Sequence, residues 1–119
     1  MRASFRGVEV GVTTDNRVHV CGVRGSTDHH VLFQRGDTES TPADIHFEYR
    51  DQGNGGYDFV KECRLSRRML SLDLSKRMRS LPDVVGIDVV LDVDDSAFIV
   101  LSKGLAVIFE PCPERLLAA

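Results

Sequence analysis

Four histidines, His19, His29, His30 and His46, are the side chains of this sequence best suited to metal or acid–base chemistry. Adjacent His29 and His30 would face opposite sides of a strand, and no cysteine or carboxylate stands at ligand spacing from them, so they read as a loop pair without a metal. His46, Glu48 and Arg50 recur at every second position, which on a strand makes one polar row, either an acid–base trio or a solvated sheet face. The run Gly53-Asn54-Gly55-Gly56 has glycine enough to cradle a phosphate. No Lys-Ser or Lys-Thr pair follows it and no helix opens there, so it reads as a turn. Cys21, Cys63 and Cys112 are odd in number and lack Cys-x-x-Cys spacing, which speaks against a disulfide framework and a zinc site and suits a reducing compartment. No Gly-x-Ser-x-Gly turn presents a nucleophile, and Cys63 alternates with polar neighbours as a small buried hydrophobe does. No cofactor is expected, and no motif argues for an enzyme.

The elements that must position these groups are mostly strands. Val8, Val10 and Val12, then Val18, Val20 and Gly22, repeat at the strand period around Asp15-Asn16, residues that tolerate the left-handed angles of a hairpin turn. By that alternation His19 stands opposite the apolar face of its strand. Val31-Leu32-Phe33 reads as a short strand. Ile45, Phe47 and Tyr49 alternate with polar neighbours, and so do Cys63 and Leu65, then Leu70, Leu72 and Leu74, with Ser66-Arg67-Arg68 joining these last two as a hairpin. Residues 75–81 carry good helix formers between Ser75 and Pro82 and read as a short helix. Ile87, Val89, Leu91 and Val93 form a last strand. Phe98, Leu101, Leu105 and Ile108 then make one helical stripe capped by Asp94-Asp95-Ser96 and ended by Pro111 and Pro113. Gly104 in its middle costs about 1 kcal/mol relative to alanine, so either something packs close there or the helix breaks. The expectation is an α+β fold: a mostly antiparallel sheet of about six or seven strands, a short helix, and a C-terminal amphipathic helix packed on one face.

A chain of 119 residues has room for one domain, residues 1–119, with a core of its own. The 42% hydrophobic and 28% charged fractions are those of a globular protein. Apolar runs fall far short of the ~20 residues of a membrane span, and no signal-type apolar stretch follows Arg2 and Arg6, so a cytoplasmic location and no membrane partner are expected. A net charge of −3 argues against general nucleic-acid binding. Charge is segregated: residues 61–79 hold seven cations against two carboxylates, and residues 83–95 hold five aspartates and no cation. The two segments either steer a partner of complementary charge or pair with each other.

The stretch Phe47-Glu48-Tyr49-Arg50-Asp51-Gln52, a Gly/Asn-rich turn, Tyr57, then Leu65-Ser66-Arg67 and Leu70-Ser71-Leu72-Asp73-Leu74 resembles the immunity protein 10 family of bacterial polymorphic toxin systems. The resemblance is most specific at Asp51-Gln52 and over the interval from Tyr57 to Leu65. It implies a non-enzymatic protein that binds a cognate toxin domain and blocks it by occlusion. Its partner-binding residues would be Glu48, Arg50, Asp51, Gln52 and Tyr57, where a polar strand face runs into a glycine loop and supplies the tyrosine and arginine that dominate protein interfaces. Asp51 has a competing task in capping its own turn, and the acidic segment from Asp88 to Asp95 offers a second surface toward a basic nuclease. An uncovered edge strand would also allow a homodimer. The alternatives are a small-molecule enzyme using His46 and Glu48 on the polar sheet face, and an intracellular binding module of another pathway.

Overall fold

A computed structural model describes residues 1–26 and 28–118, with the backbone alone described at Gln52. Strands β1 (Arg2–Asp15), β2 (Val18–Gly25), β3 (His30–Gly36), β4 (His46–Tyr49), β5 (Asp51–Tyr57), β6 (Val60–Ser66), β7 (Met69–Leu74) and β8 (Gly86–Leu91) precede helix α1 (Asp95–Ile108) and a short β9 (Leu116–Ala118). All nine strands lie in one sheet of order β5-β4-β3-β2-β1-β8-β7-β6-β9.

The long β1 holds the sheet together. Its second half, from Gly7 to Asp15, pairs antiparallel with β2, and its first half, Arg2 to Gly7, pairs parallel with β8. One strand therefore splices two four-stranded halves, with a bulge between Gly7 and Glu9 at the changeover. At the far end of the β1–β2 hairpin Asn16 and Arg17 both take left-handed angles (φ 48° and 62°), the geometry that matches the strand twist in a two-residue turn.

Chain connectivity then forces the sheet to curl. β5 stands at one edge and β6 next to the other, yet only Asp58 and Phe59 separate them in sequence, a link that reaches about 11 Å at most. The ends meet through Ser75 N–H donating to Phe59 O (2.8 Å), Arg115 paired with Asp58 (3.0 Å), and the rings of Phe59 and Phe47 stacked 6.4 Å apart. The inner face carries Cys21, Val23, Phe33, Phe47, Cys63, Leu70, Leu72 and Ile87, all nearly inaccessible, each large aliphatic or aromatic side chain contributing about 1.5–3 kcal/mol. Helix α1 buries Leu101, Gly104, Leu105 and Ile108 in this core, with Asp94 accepting from Ala97 N–H at its start. The helix is unbroken at Gly104 because a Cβ there would stand 2.7 Å from Val12 Cγ2 and 3.0 Å from Cys21 Sγ. Packing against the β1–β2 hairpin explains this glycine.

The α+β class and the covering helix match the expectation, and four of its details are corrected. The sheet has nine strands and is mixed, with β1–β8 and β6–β9 parallel. The short helix expected over 75–81 does not form, and Met78 in its middle is fully buried; one turn of good helix formers is outweighed by a core contact for Met78. The glycine run is strand β5 and not a turn. In β2 the core face is Cys21, Val23 and Gly25, so His19 points inward and Val18, Val20 and Gly22 do not set the face; both rows of β2 are apolar, and alternation cannot choose between them. Among the described residues no helix is long and apolar enough to cross a membrane.

Candidate functional site

The turn between β4 and β5 sits at Arg50, three residues before the first glycine, Gly53. Arg50 takes φ 69° and donates its N–H to His30 O at 3.1 Å, so that Asp51 pairs directly with Tyr49. The next pair is Glu48 with Gly55, which leaves residues 52–54 as an excursion in β5. Two groups hold it: Asp51 Oδ1 accepts Gly53 N–H (2.8 Å), and Asn54, only 3% exposed, accepts Ser80 N–H through Oδ1 (3.1 Å). Gly55 is required where the strand resumes, since a Cβ there would collide with the Phe47 carbonyl oxygen.

This excursion, the start of β3 and the loop after β7 enclose an open polar cleft of about 610 Å³, lined by Arg24, Asp28, His30, Arg50, Asp51, Asn54, Ser80 and Leu81. Its charges are partly committed. Arg24 binds both carboxylate oxygens of Glu9 at 2.9 Å, and His30 Nε2 meets Glu48 Oε2 at 2.7 Å. Of the residues expected from sequence, Arg50 and Asp51 line the cleft, and Glu48 backs it through His30. Tyr57 is at the other end of β5, 57% exposed, its ring edge-on to His46 at 5.0 Å. The side chain of Gln52 lies outside the described residues. His46, Glu48 and Arg50 do not converge as a trio: His46 meets Tyr57, Glu48 meets His30, and Arg50 turns into the cleft.

Elsewhere the polar groups act as structural ties. Arg2 bridges Asp88 (2.9 Å) and Asp73 (2.7 Å), and Arg64 bridges Asp73 (2.7 Å) and Glu62, an ion-pair ladder across the outside of β1, β8, β7 and β6. Hydrogen bonds from Arg64 and then Arg2 lower the pKa of Asp73 to about 2. The acidic segment is largely consumed in this way: Asp88 goes to Arg2, Asp92 to Arg6, Asp95 to Arg67 and Asp94 to the helix start. Arg67–Asp95 is the one ion pair among the described residues that joins the basic and acidic segments. His19 ties the β1–β2 hairpin to the loop after β3, bonded to Thr14 and Asp37 at 2.9 Å each. His29 stacks on Phe5 at 5.6 Å, and its buried Nδ1 makes no hydrogen bond. The three cysteines are free and buried, and desolvation raises the Cys21 thiol pKa to about 12. Among the described residues no group of three or more His, Cys, Asp or Glu side chains could hold a metal ion.

Sequence reasoning missed Arg24, His30, Asn54 and Ser80. A polar Asn enclosed by glycines hinted at Asn54; Ser80 reaches the cleft through the unexpected course of its loop. Compared with protein-family models, with curated proteins and with solved structures, the chain finds no match.

Proposed function

We propose that this chain is a binding protein of the immunity type, which acts in the cytoplasm and neutralises a cognate bacterial toxin domain by covering it. The observation that carries the reading is Tyr57: a tyrosine 57% exposed on the outside of an edge strand, with no role in the core. Exposed aromatic anchors of this kind supply binding energy at interfaces out of proportion to their area. Arg50, Asp51 and Glu48 on the same hairpin add polar contacts that can fix orientation. The test is growth rescue and a one-to-one complex with the C-terminal domain of a large toxin encoded beside this gene. Rescue by the wild type is expected, with Tyr57→Ala weakening the complex by roughly 2–4 kcal/mol. Toxicity without rescue would overturn the reading.

One observation favours a second reading, a small-molecule enzyme. The His30–Glu48 contact resembles a carboxylate-oriented general base, and it opens on the polar cleft. If that reading holds, a library of phosphate and carboxylate esters will contain a substrate whose turnover His30→Ala abolishes.

A further inference from the structure

The loop from Ser75 to Leu81 runs alongside β5. Its start is fixed at Tyr57–Phe59: Lys76 Nζ donates to Tyr57 O (2.9 Å) and lies over the Phe59 ring, and Ser75 Oγ donates to Asp58 O (2.7 Å). Its end is fixed at the excursion, where Ser80 N–H reaches Asn54 and Leu81 lines the cleft with Arg50. Between these ties Met78 is fully buried, while Arg77 and Arg79 on either side of it are exposed. Met78 is the pin that turns both guanidinium groups outward beside the edge strand.

Among the described residues nine of the fifteen lysines and arginines hold no carboxylate: Arg35 is buried, Arg17, Lys61, Arg68 and Lys103 lie scattered over the β1–β2 turn, β6, the β6–β7 turn and α1, and the other four fall together in this strip. Arg2, Arg6, Arg24, Arg64, Arg67 and Arg115 each hold a carboxylate. Arg50, Lys76, Arg77 and Arg79 hold none among the described residues, although the protein as a whole is acidic at −3. The carboxylates that share these cavities form no contact ion pair with them among the described residues: Asp51 is turned onto Gly53 N–H, Asp58 is taken by Arg115, and Asp28 and Asp83 line the cleft and the loop base. Unpaired cations concentrated along one edge of an acidic protein, beside an exposed tyrosine, present a docking surface for a partner of opposite charge.

We propose that the partner docks on the strip formed by Arg50, Tyr57, Lys76, Arg77 and Arg79, and that it meets this strip with an acidic protein surface. This rests on the toxin-binding reading and adds the face and its charge. A protein and not a nucleic acid is favoured because the net negative charge of the chain opposes a polyanion at long range, whereas a local acidic patch feels chiefly the strip.

The test compares Arg77→Glu/Arg79→Glu with a control of equal charge change placed elsewhere, Arg68→Glu/Lys103→Glu, in growth rescue and in stopped-flow association with the toxin domain. Melting curves check that all variants fold. The strip variant is expected to lose rescue and to associate at least tenfold more slowly, the control to retain both, and the wild-type rate to fall steeply with added salt. Rescue by the strip variant equal to that of the wild type overturns this inference while the toxin-binding reading stands. No rescue by the wild type overturns both. Binding of a fluorescent single-stranded oligonucleotide by the wild type, lost in the strip variant, overturns it in favour of a nucleic acid.

Discussion

Asp73 lies between two guanidinium groups, one from the neighbouring strand β6 and one from β1 beyond β8. Its folded pKa of about 2 is below the ordinary aspartate value of 3.8, so its contribution to stability is complete above about pH 5 and disappears as pH falls through 4 toward 2. The urea midpoint is expected to hold level above pH 5 and to decline over that window, with Asp44 and Asp88, also lowered by hydrogen bonds, contributing to the decline. Asp73→Asn should shrink the acid decline and cost about 1 kcal/mol at pH 7, discounted for partial exposure. A second expectation concerns Gly55, whose missing Cβ leaves room for the Phe47 carbonyl. Gly55→Ala must displace the β4–β5 hairpin and should cost about 3 kcal/mol in urea denaturation, more than overpacking by one methyl in a yielding site. Neither effect is legible in the sequence. Asp73 reads there as one of two carboxylates in a basic segment, and its value comes from Arg64 on the paired strand and from Arg2, 71 positions away. Gly55 reads as a turn glycine, and what it serves is a close approach between strands. What was legible at this scale is the Asx role of Asp51 and the cap at Asp94, because both are satisfied within three residues.

The same division holds among elements. The stripe of α1 and the Ile45, Phe47, Tyr49 face were legible because each has one period and one buried side. β5 has three glycines in seven residues and no apolar alternation, and the 75–81 loop has helical propensity that its core contact overrides. The tie between α1 and the sheet was also hidden, and it rests on Arg35. This arginine is 4% exposed and donates to Ile108 O (3.1 Å), Val107 O (2.7 Å), Gly36 O (3.1 Å) and Glu39 O (2.9 Å). Its charge faces the carbonyls at the negative end of the helix dipole, where a cation is favoured. Arg35→Met keeps much of the volume and removes a donor from all four carbonyls, of which Val107 O keeps Glu110 N–H and Gly36 O keeps Glu39 N–H; a loss of about 3 kcal/mol is expected from denaturation, with faster amide exchange in the last turn of α1. Unchanged exchange there would mean the helix end is held by packing alone.

At the scale of the molecule, the sheet curls because a two-residue link joins β5 at one edge to β6 beside the other, and its outer face is left to the ladder of ion pairs and to the strip along β5. The loop over β5 also bears on self-association: one sheet edge is covered along part of its length, which removes some of the template for pairing with a second copy. Most strand pairing of β1 with β8 spans more than 80 residues, so loop closure must precede the contacts that reward it. Refolding by stopped-flow dilution from urea is expected in the millisecond-to-second range, and completion within microseconds would contradict the long-range pairing of β1 with β8 as the rate-setting event.

The splice in β1 has a consequence during synthesis. Ribosomes extend the chain at roughly 5–20 residues per second, so Arg2–Arg6, whose strand partner in β8 begins at Gly86, wait for roughly 4–17 seconds after they are made. Phe5 and the bare backbone edge around it stay open to chaperones or to neighbouring nascent chains throughout that interval. β1, made before the other eight described strands, is thus among the last to be fully paired, and yield in the cell is expected to depend on what shelters it meanwhile.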